Sequence, residues 1–135
     1  MSQPPFSWRV RVYWEDTDAG GVVYHASYVR FLERARTEWL RQRGIVQSTL
    51  AAERGVLFVI YGMQLRFLKP ARLDDELVVS VAVGHLRRAS LVFEQSIRDG
   101  SGEELCRATV DAACVRADGM RPCPIPEELR EEMLH

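Results

Sequence analysis

The sequence predicts an α+β fold in which one long helix covers one face of a five-stranded antiparallel sheet. Three observations carry this: a two-residue alternation near the N-terminus, one long run of helical period after it, and four β-rich stretches from Leu57 onward. A chain of 135 residues fits one domain over 1–135, with a core of about 8–118 and short tails. It can bury roughly 65 to 70% of its unfolded surface without staples.

The first strand spans Trp8 to Trp14, where Trp8, Val10, Val12 and Trp14 alternate with Arg9, Arg11 and Tyr13. The helix follows at about Ala26 to Arg43. With Tyr28 as origin and ~100° per residue, Phe31, Leu32, Ala35 and Trp39 fall within one arc, while Arg30, Glu33, Arg34, Thr37 and Arg41 lie elsewhere. Gly44 stands where a left-handed C-terminal cap is expected, and a shorter helical stretch, Ser48 to Arg54, ends at Gly55 for the same reason. Four strands come next, Leu57–Lys69, Glu76–Leu86, Ala89–Arg98 and Glu103–Arg116, rich in β-branched or alternating apolar residues. Their separators are Lys-Pro-Ala-Arg-Leu-Asp-Asp, a tight Arg87-Arg88 corner and Asp-Gly-Ser-Gly, so consecutive strands are expected to pair antiparallel. In the last strand Cys106, Ala108, Val110, Ala112 and Cys114 share one face, and their small size would let a helix approach closely. Open sheet edges invite pairing with another copy, so a homodimer or larger assembly is expected.

Composition narrows the function classes. The formal net charge is -1, which leaves no global field to attract nucleic acid, and nucleic-acid binding is not expected as a main role. The three cysteines form no Cys-x-x-Cys pair and lack clustered histidines; they read as buried, reduced thiols of a cytoplasmic protein rather than zinc ligands. The N-terminus has neither a basic start nor an apolar core, and the longest apolar run, Val56 to Tyr61, is far too short to span a bilayer. A soluble, unprocessed chain is the expectation.

The stretch Tyr13 to Glu38 places two carboxylates, a glycine pair and a histidine at the entrance of the long helix. The first N–H groups of a helix lack intrahelical partners and point outward with the positive end of the macrodipole, suited to a developing negative charge. Asp18 is followed by Ala-Gly-Gly, and glycines there permit close approach of a ligand. If the helix starts near His25, its free amides can serve an oxyanion while Asp18 attacks or activates water. On spacing alone a second reading is favoured: Asp16 and Asp18 begin a turn or cap a helix, as Asp commonly does. His25 can donate a proton or orient a substrate, yet a lone histidine is commonly structural. No Gly-x-Ser-x-Gly elbow occurs, so a serine triad lacks its usual anchor. Arg66, Lys69, Arg72, Arg87 and Arg88 gather at strand ends, either as a solvated surface or as phosphate ligands. His85 and His135 join no constellation.

The residues Tyr13 to Tyr28, with Phe31 to Glu38, Pro70 to Asp75 and Ser90 to Phe93, resemble the signature of hotdog-fold thioesterases of the 4-hydroxybenzoyl-CoA thioesterase type. Within that type the chain is similar to the Tol-Pal-associated acyl-CoA thioesterase subgroup, over about Trp8 to Val115. The resemblance implies a hotdog fold, a sheet wrapped around the long helix, in dimers or tetramers with active sites at subunit interfaces. It implies Asp18 as the catalytic carboxylate, nucleophile or general base, and the His25 backbone amide as oxyanion donor, with the imidazole a second participant. Gly21 and Tyr24 are the expected substrate neighbours. Arg87 and Arg88 match the family's basic run for coenzyme A, but its third basic position is Ala89 here. The expected activity is hydrolysis of an acyl-CoA, or of an acyl chain on a carrier protein, without metal or redox cofactor. A hotdog dehydratase and a non-catalytic acyl-carrier module are the alternatives.

Overall fold

The computed structural model describes residues 6–134. The expectations for the N-terminal tip and for His135 lie outside the described residues. Strand β1, Phe6–Arg11, is shorter than the predicted Trp8–Trp14. Val10 and Val12 are buried, but Trp8 is 40% and Trp14 79% exposed, so half of the predicted inward face is turned out. For Trp14 the cause is Asp16, whose Oδ2 accepts the Tyr13 N–H at 2.8 Å. That bond folds Trp14–Asp16 into a 3-10 turn, the local side chain to backbone competition that Asp is prone to.

Helix α1, His25–Gln42, buries Tyr28, Phe31, Leu32, Ala35, Trp39 and Leu40 on one stripe. Gly44 (φ 77°) and Gly55 (φ 63°) turn the chain out of α1 and α2 (Gln47–Arg54) in the left-handed region, as expected. The strands β2 (Val56–Phe67), β3 (Glu76–Leu86), β4 (Ser90–Arg98) and β5 (Glu104–Arg116) complete one antiparallel sheet in the order β1-β3-β4-β5-β2. The sheet curves around α1, which is the hotdog arrangement.

Two sequence expectations are corrected. Consecutive strands β2 and β3 are not neighbours: β2 pairs only with β5, at the opposite edge from β1. Their connection carries Pro70 and makes no hairpin turn. It crosses beneath the helix entrance, held where Ala71 O accepts the Val23 N–H at 2.8 Å and the Ala71 N–H donates to Tyr28 Oη at 3.1 Å. The small residues of β5 are indeed buried together, but the α1 backbone lies closest to β1 and β3. Their small size therefore leaves space beside the helix rather than drawing it in.

Beyond β5 the chain adds a third helix, α3 (Glu127–Met133). Cys123, Ile125, Leu129 and Met133 are buried in the same cluster as the α1 stripe. The C-terminal tail is thus part of the packed core, reached through Arg116 N–H to Arg121 O (2.8 Å) and Cys123 N–H to Cys114 O (3.0 Å).

Candidate active site

The loop between β1 and α1 closes as a small hairpin. Thr17 bridges Val23, and Val22 bridges Arg72 of the crossing segment. Asp18 donates its N–H to Val22 O at 2.9 Å, and its carbonyl accepts the Gly21 N–H at 3.0 Å. Gly21 has φ 80°, a conformation that strains any L side chain. The turn holds the Asp18 carboxylate in place, because Oδ1 accepts the Gly20 N–H at 2.8 Å. Among the described residues, Oδ2 accepts no hydrogen bond, and the side chain is exposed. It is free to meet a substrate or water.

Asp16, two residues earlier, does different work. It is buried, and besides its side-chain bond to Tyr13 its carbonyl accepts the Tyr24 N–H at 2.8 Å and the Ser27 hydroxyl at 3.1 Å. Tyr24, the extended N-cap residue, accepts the Ser27 N–H at 2.8 Å. This arrangement fixes the first turn of α1. Among the described residues it leaves the His25 and Ala26 N–H groups without acceptors, at the positive end of an 18-residue helix.

A cleft of about 320 Å³ lies between this helix entrance and the end of β2, lined by Asp18, Val23, His25, Tyr28, Phe67, Leu68, Lys69 and Pro70. The His25 ring tilts against Tyr24 with centroids 4.4 Å apart and meets the edge of Phe67 at 6.4 Å. Tyr28 packs against Phe67 at 5.4 Å. Burial pushes the Tyr28 phenol above its ordinary pKa, so it stays neutral and accepts from Ala71 while retaining a proton to donate. At the rim Lys69 pairs with Glu103, and that bond holds the Lys69 ammonium above its ordinary pKa. The cleft combines an apolar wall, unpartnered amides and a free carboxylate oxygen, the parts needed to seat a carbonyl and attack it.

Of the residues expected from the sequence, Asp18 and His25 meet in this cleft. Gly21 shapes the turn, and Tyr24 sits beside His25 with 44% of its surface exposed. Arg87 and Arg88 are not brought to it. They form the β3–β4 corner, where the Arg87 N–H donates to Ser90 O at 2.8 Å and Arg88 O accepts the Ile125 N–H at 2.9 Å. The cleft adjoins the other end of β3, and ten steps along that strand at ~3.3 Å each amount to roughly 30 Å. The sequence reading missed Phe67, Leu68 and Pro70, and took Tyr28 for core alone. The available signal was the Lys69-Pro70 pair, which the order of separators suggested was only a turn. Among the described residues, no group of three or more His, Cys, Asp or Glu could hold a metal ion, and no helix is long and apolar enough to cross a membrane.

Residues 12–133 match the thioesterase-like superfamily. The chain is similar to the acyl-CoA thioester hydrolase YbgC of Escherichia coli O6:H1, with 48% identity over 132 residues covering 98% of each chain. Among solved structures it resembles a probable thioesterase from Bartonella henselae (35% identity, TM-score 0.86, 91% of this chain and 100% of that one). It also superposes on a mutant 4-hydroxybenzoyl-CoA thioesterase complexed with 4-hydroxybenzoyl-CoA (23% identity, TM-score 0.88, 95% and 97% covered), a likeness of fold.

Proposed function

We propose that this chain, which belongs to the thioesterase-like superfamily, is an acyl-CoA thioesterase working through Asp18 and the N-terminal amides of α1. The single observation that carries the residue assignment is the juxtaposition in one cleft of a carboxylate with a free oxygen and an uncapped helix start. The thioester carbonyl oxygen sits at the His25 and Ala26 N–H groups, where a good oxyanion donor is worth roughly 3 to 4 kcal/mol. Asp18 either takes a proton from the attacking water or adds to the carbonyl carbon itself. In both routes the C–S bond breaks and the sulfur leaves as a thiolate, whose acid has a pKa near ~8.5 and needs little help to depart. In the base route water adds to the acyl carbon and its oxygen leaves in the acid. In the nucleophilic route water opens the mixed anhydride at Asp18 Cγ, so its oxygen stays on Asp18 and the acid departs with the carboxylate oxygen that attacked. No metal or redox cofactor enters.

The Gly21 turn and Tyr24 flank the acyl-bearing atoms, with the His25 imidazole beside them. Arg87 and Arg88 hold the nucleotide of a substrate bound to the neighbouring subunit. A twofold pairing of β2 edges runs the two sheets in opposite directions, which sets the partner's β3–β4 corner at the same end as this Asp18. The working unit is therefore a homodimer, alone or paired again into a tetramer, acting in the cytoplasm and in step with the Tol-Pal system. The acyl donor is coenzyme A, with acyl carrier protein a second candidate.

The test is thiol release across short, long and aromatic acyl-CoAs. Asp18→Asn should fold with an unchanged melting temperature yet lose at least ~100-fold in kcat. Retention of the wild-type rate by that variant would remove Asp18 from the mechanism, and a flat background profile for the wild type would favour a binding module. A single turnover in ¹⁸O water, followed by mass analysis of the Asp18 peptide, separates nucleophile from base.

A further inference from the structure

The β3–β4 corner is the short loop Arg87-Arg88-Ala89 between Leu86 and Ser90. Hairpin loops of this length commonly close on a type I turn followed by a residue in the left-handed region, a place suited to Gly or Asn. The corner has neither residue type, and among the described residues positive φ outside glycine occurs only at Asp74 and Met120. Two adjacent guanidinium groups add like-charge repulsion. Within the hairpin a single bond closes the loop, from the Arg87 N–H to Ser90 O at 2.8 Å.

What fixes the corner comes from later in the chain. Each of its three carbonyls accepts a hydrogen bond: Arg87 O from Arg130 Nη1 of α3, Arg88 O from the Ile125 N–H at 2.9 Å, and Ala89 O from the Cys114 N–H of β5 at 2.8 Å. With the carbonyls held in this way, Arg87 and Arg88 remain exposed. Arg130 is the unusual donor. It stands in Glu-Glu-Leu-Arg-Glu-Glu, where pairing with a carboxylate such as Glu127, one turn back, is the ordinary outcome. Among the described residues it pairs with none. Glu128 pairs with Arg54 of α2 instead, and Arg130 reaches a carbonyl beside two other arginines. The helix keeps this pose because Leu129 and Met133 anchor it in the core. A third cation brought to a corner that already holds two is unfavourable unless an anion joins them.

We propose that Arg130 is a positioning residue for nucleotide binding: through Arg87 O it fixes the corner, so that the Arg87 and Arg88 side chains meet the phosphates of coenzyme A as a formed site. This rests on the reading that places the nucleotide at Arg87 and Arg88. What is new is the dependence of that site on the C-terminal helix, which contributes no residue to the Asp18 cleft. Arginines on a loose loop must be ordered at the moment of binding, and a loop held in advance avoids that loss. Because the phosphates are remote from the thioester, the effect falls on KM rather than kcat.

The test compares one acyl group carried on coenzyme A and on pantetheine, which is coenzyme A without its nucleotide. Arg130→Met should raise KM for the acyl-CoA at least ~10-fold with kcat within about two-fold, and leave both constants for the acyl-pantetheine unchanged. Arg130→Lys, which keeps a cationic donor, should recover most of the loss. Hydrogen exchange at the Arg87 amide, which closes the loop, should quicken in Arg130→Met and not in Arg130→Lys. The double variant Arg87→Ala, Arg88→Ala is the control for the nucleotide assignment and should raise the acyl-CoA KM at least as much. If it does so and Arg130→Met does not, the positioning role falls and the nucleotide reading stands; if the double variant keeps the wild-type KM, both fall. Equal losses on the two substrates, or unchanged exchange at Arg87, would also overturn the role. Should Arg130→Met not fold, Arg130→Gln, which shortens the donor, takes its place.

Discussion

Asp16 and Asp18 are chemically identical and two residues apart, yet the fold gives them opposite tasks. Asp16 is 3% exposed and spends its side chain on the Tyr13 N–H and its carbonyl on Tyr24 and Ser27. Asp18 uses one oxygen on its own turn and leaves the other outside. Asp16→Ala should therefore act on stability: it strands a partly buried N–H, at a cost of ~1 to 3 kcal/mol. The expected result is a lower melting temperature, with kcat of the folded enzyme within a few-fold of wild type; a loss of kcat matching that of Asp18→Asn at unchanged stability would reverse the two assignments. The sequence showed both aspartates at a helix entrance and could not divide them by spacing, because the division depends on which carboxylate the 3-10 turn draws inward. Arg36 was equally hidden. It falls at the margin of the apolar arc of α1, and only the positions of Gln95 and Phe93 on β4 show that it is enclosed.

At the level of elements, patterns that are local in the chain were legible and those set by distant partners were not. The helical period of α1 and the glycine stops after α1 and α2 could be read directly, because each depends on residues within one or two turns. Strand β1 ended three residues early because a side-chain bond outcompeted its alternation, and β2 found its neighbour in β5, which begins 37 residues after β2 ends and which no separator motif encodes. The inward face of β5 was correctly read, and it supports a prediction of its own. Burial pushes the Cys106 thiol up to about 11 and the Cys114 thiol up to about 12, from an ordinary 9.0; for Cys114 the adjacent Cys123 thiol, 3.7 Å away, adds to the effect. A thiol whose folded pKa exceeds its unfolded one contributes stability that is intact below pH 9 and lost as pH rises toward 11 and 12. Melting temperatures should accordingly fall between pH 9 and 11, and Cys106→Ala should flatten that fall. Iodoacetamide should modify none of the three thiols in the folded protein at pH 8, and all of them in denaturant.

For the whole molecule the decisive question is what covers the edge of the sheet. The two edges are not alike. On β1, Arg9 and Arg11 pair with Glu76 of the adjacent β3, Arg11 at 2.8 Å, so charge guards that side against further pairing. On β2 a 12-residue strand ends in open backbone and displays Ile60 (42% exposed), Tyr61 (59%) and Phe67 (51%). A long apolar edge of this kind calls for a second copy, and an antiparallel twofold contact satisfies both chains at once. In the proposed dimer that contact carries the partner's basic corner to this end of the sheet, which is how Asp18 and the distant Arg87 and Arg88 would serve one substrate. Sedimentation velocity should therefore show a dimer or a multiple of it. Tyr61→Lys sets two like charges near the twofold axis and should weaken association by at least ~10-fold, about 1.4 kcal/mol. Its KM for acyl-CoA should rise in the same dilution range in which the dimer dissociates, because the nucleotide loses Arg87 and Arg88 together with the partner. A monomeric wild type, or a Tyr61→Lys monomer with unchanged KM, would place the nucleotide on residues of the protomer that bears Asp18, leaving Lys69 at the rim of the cleft as the nearest cation to hold it.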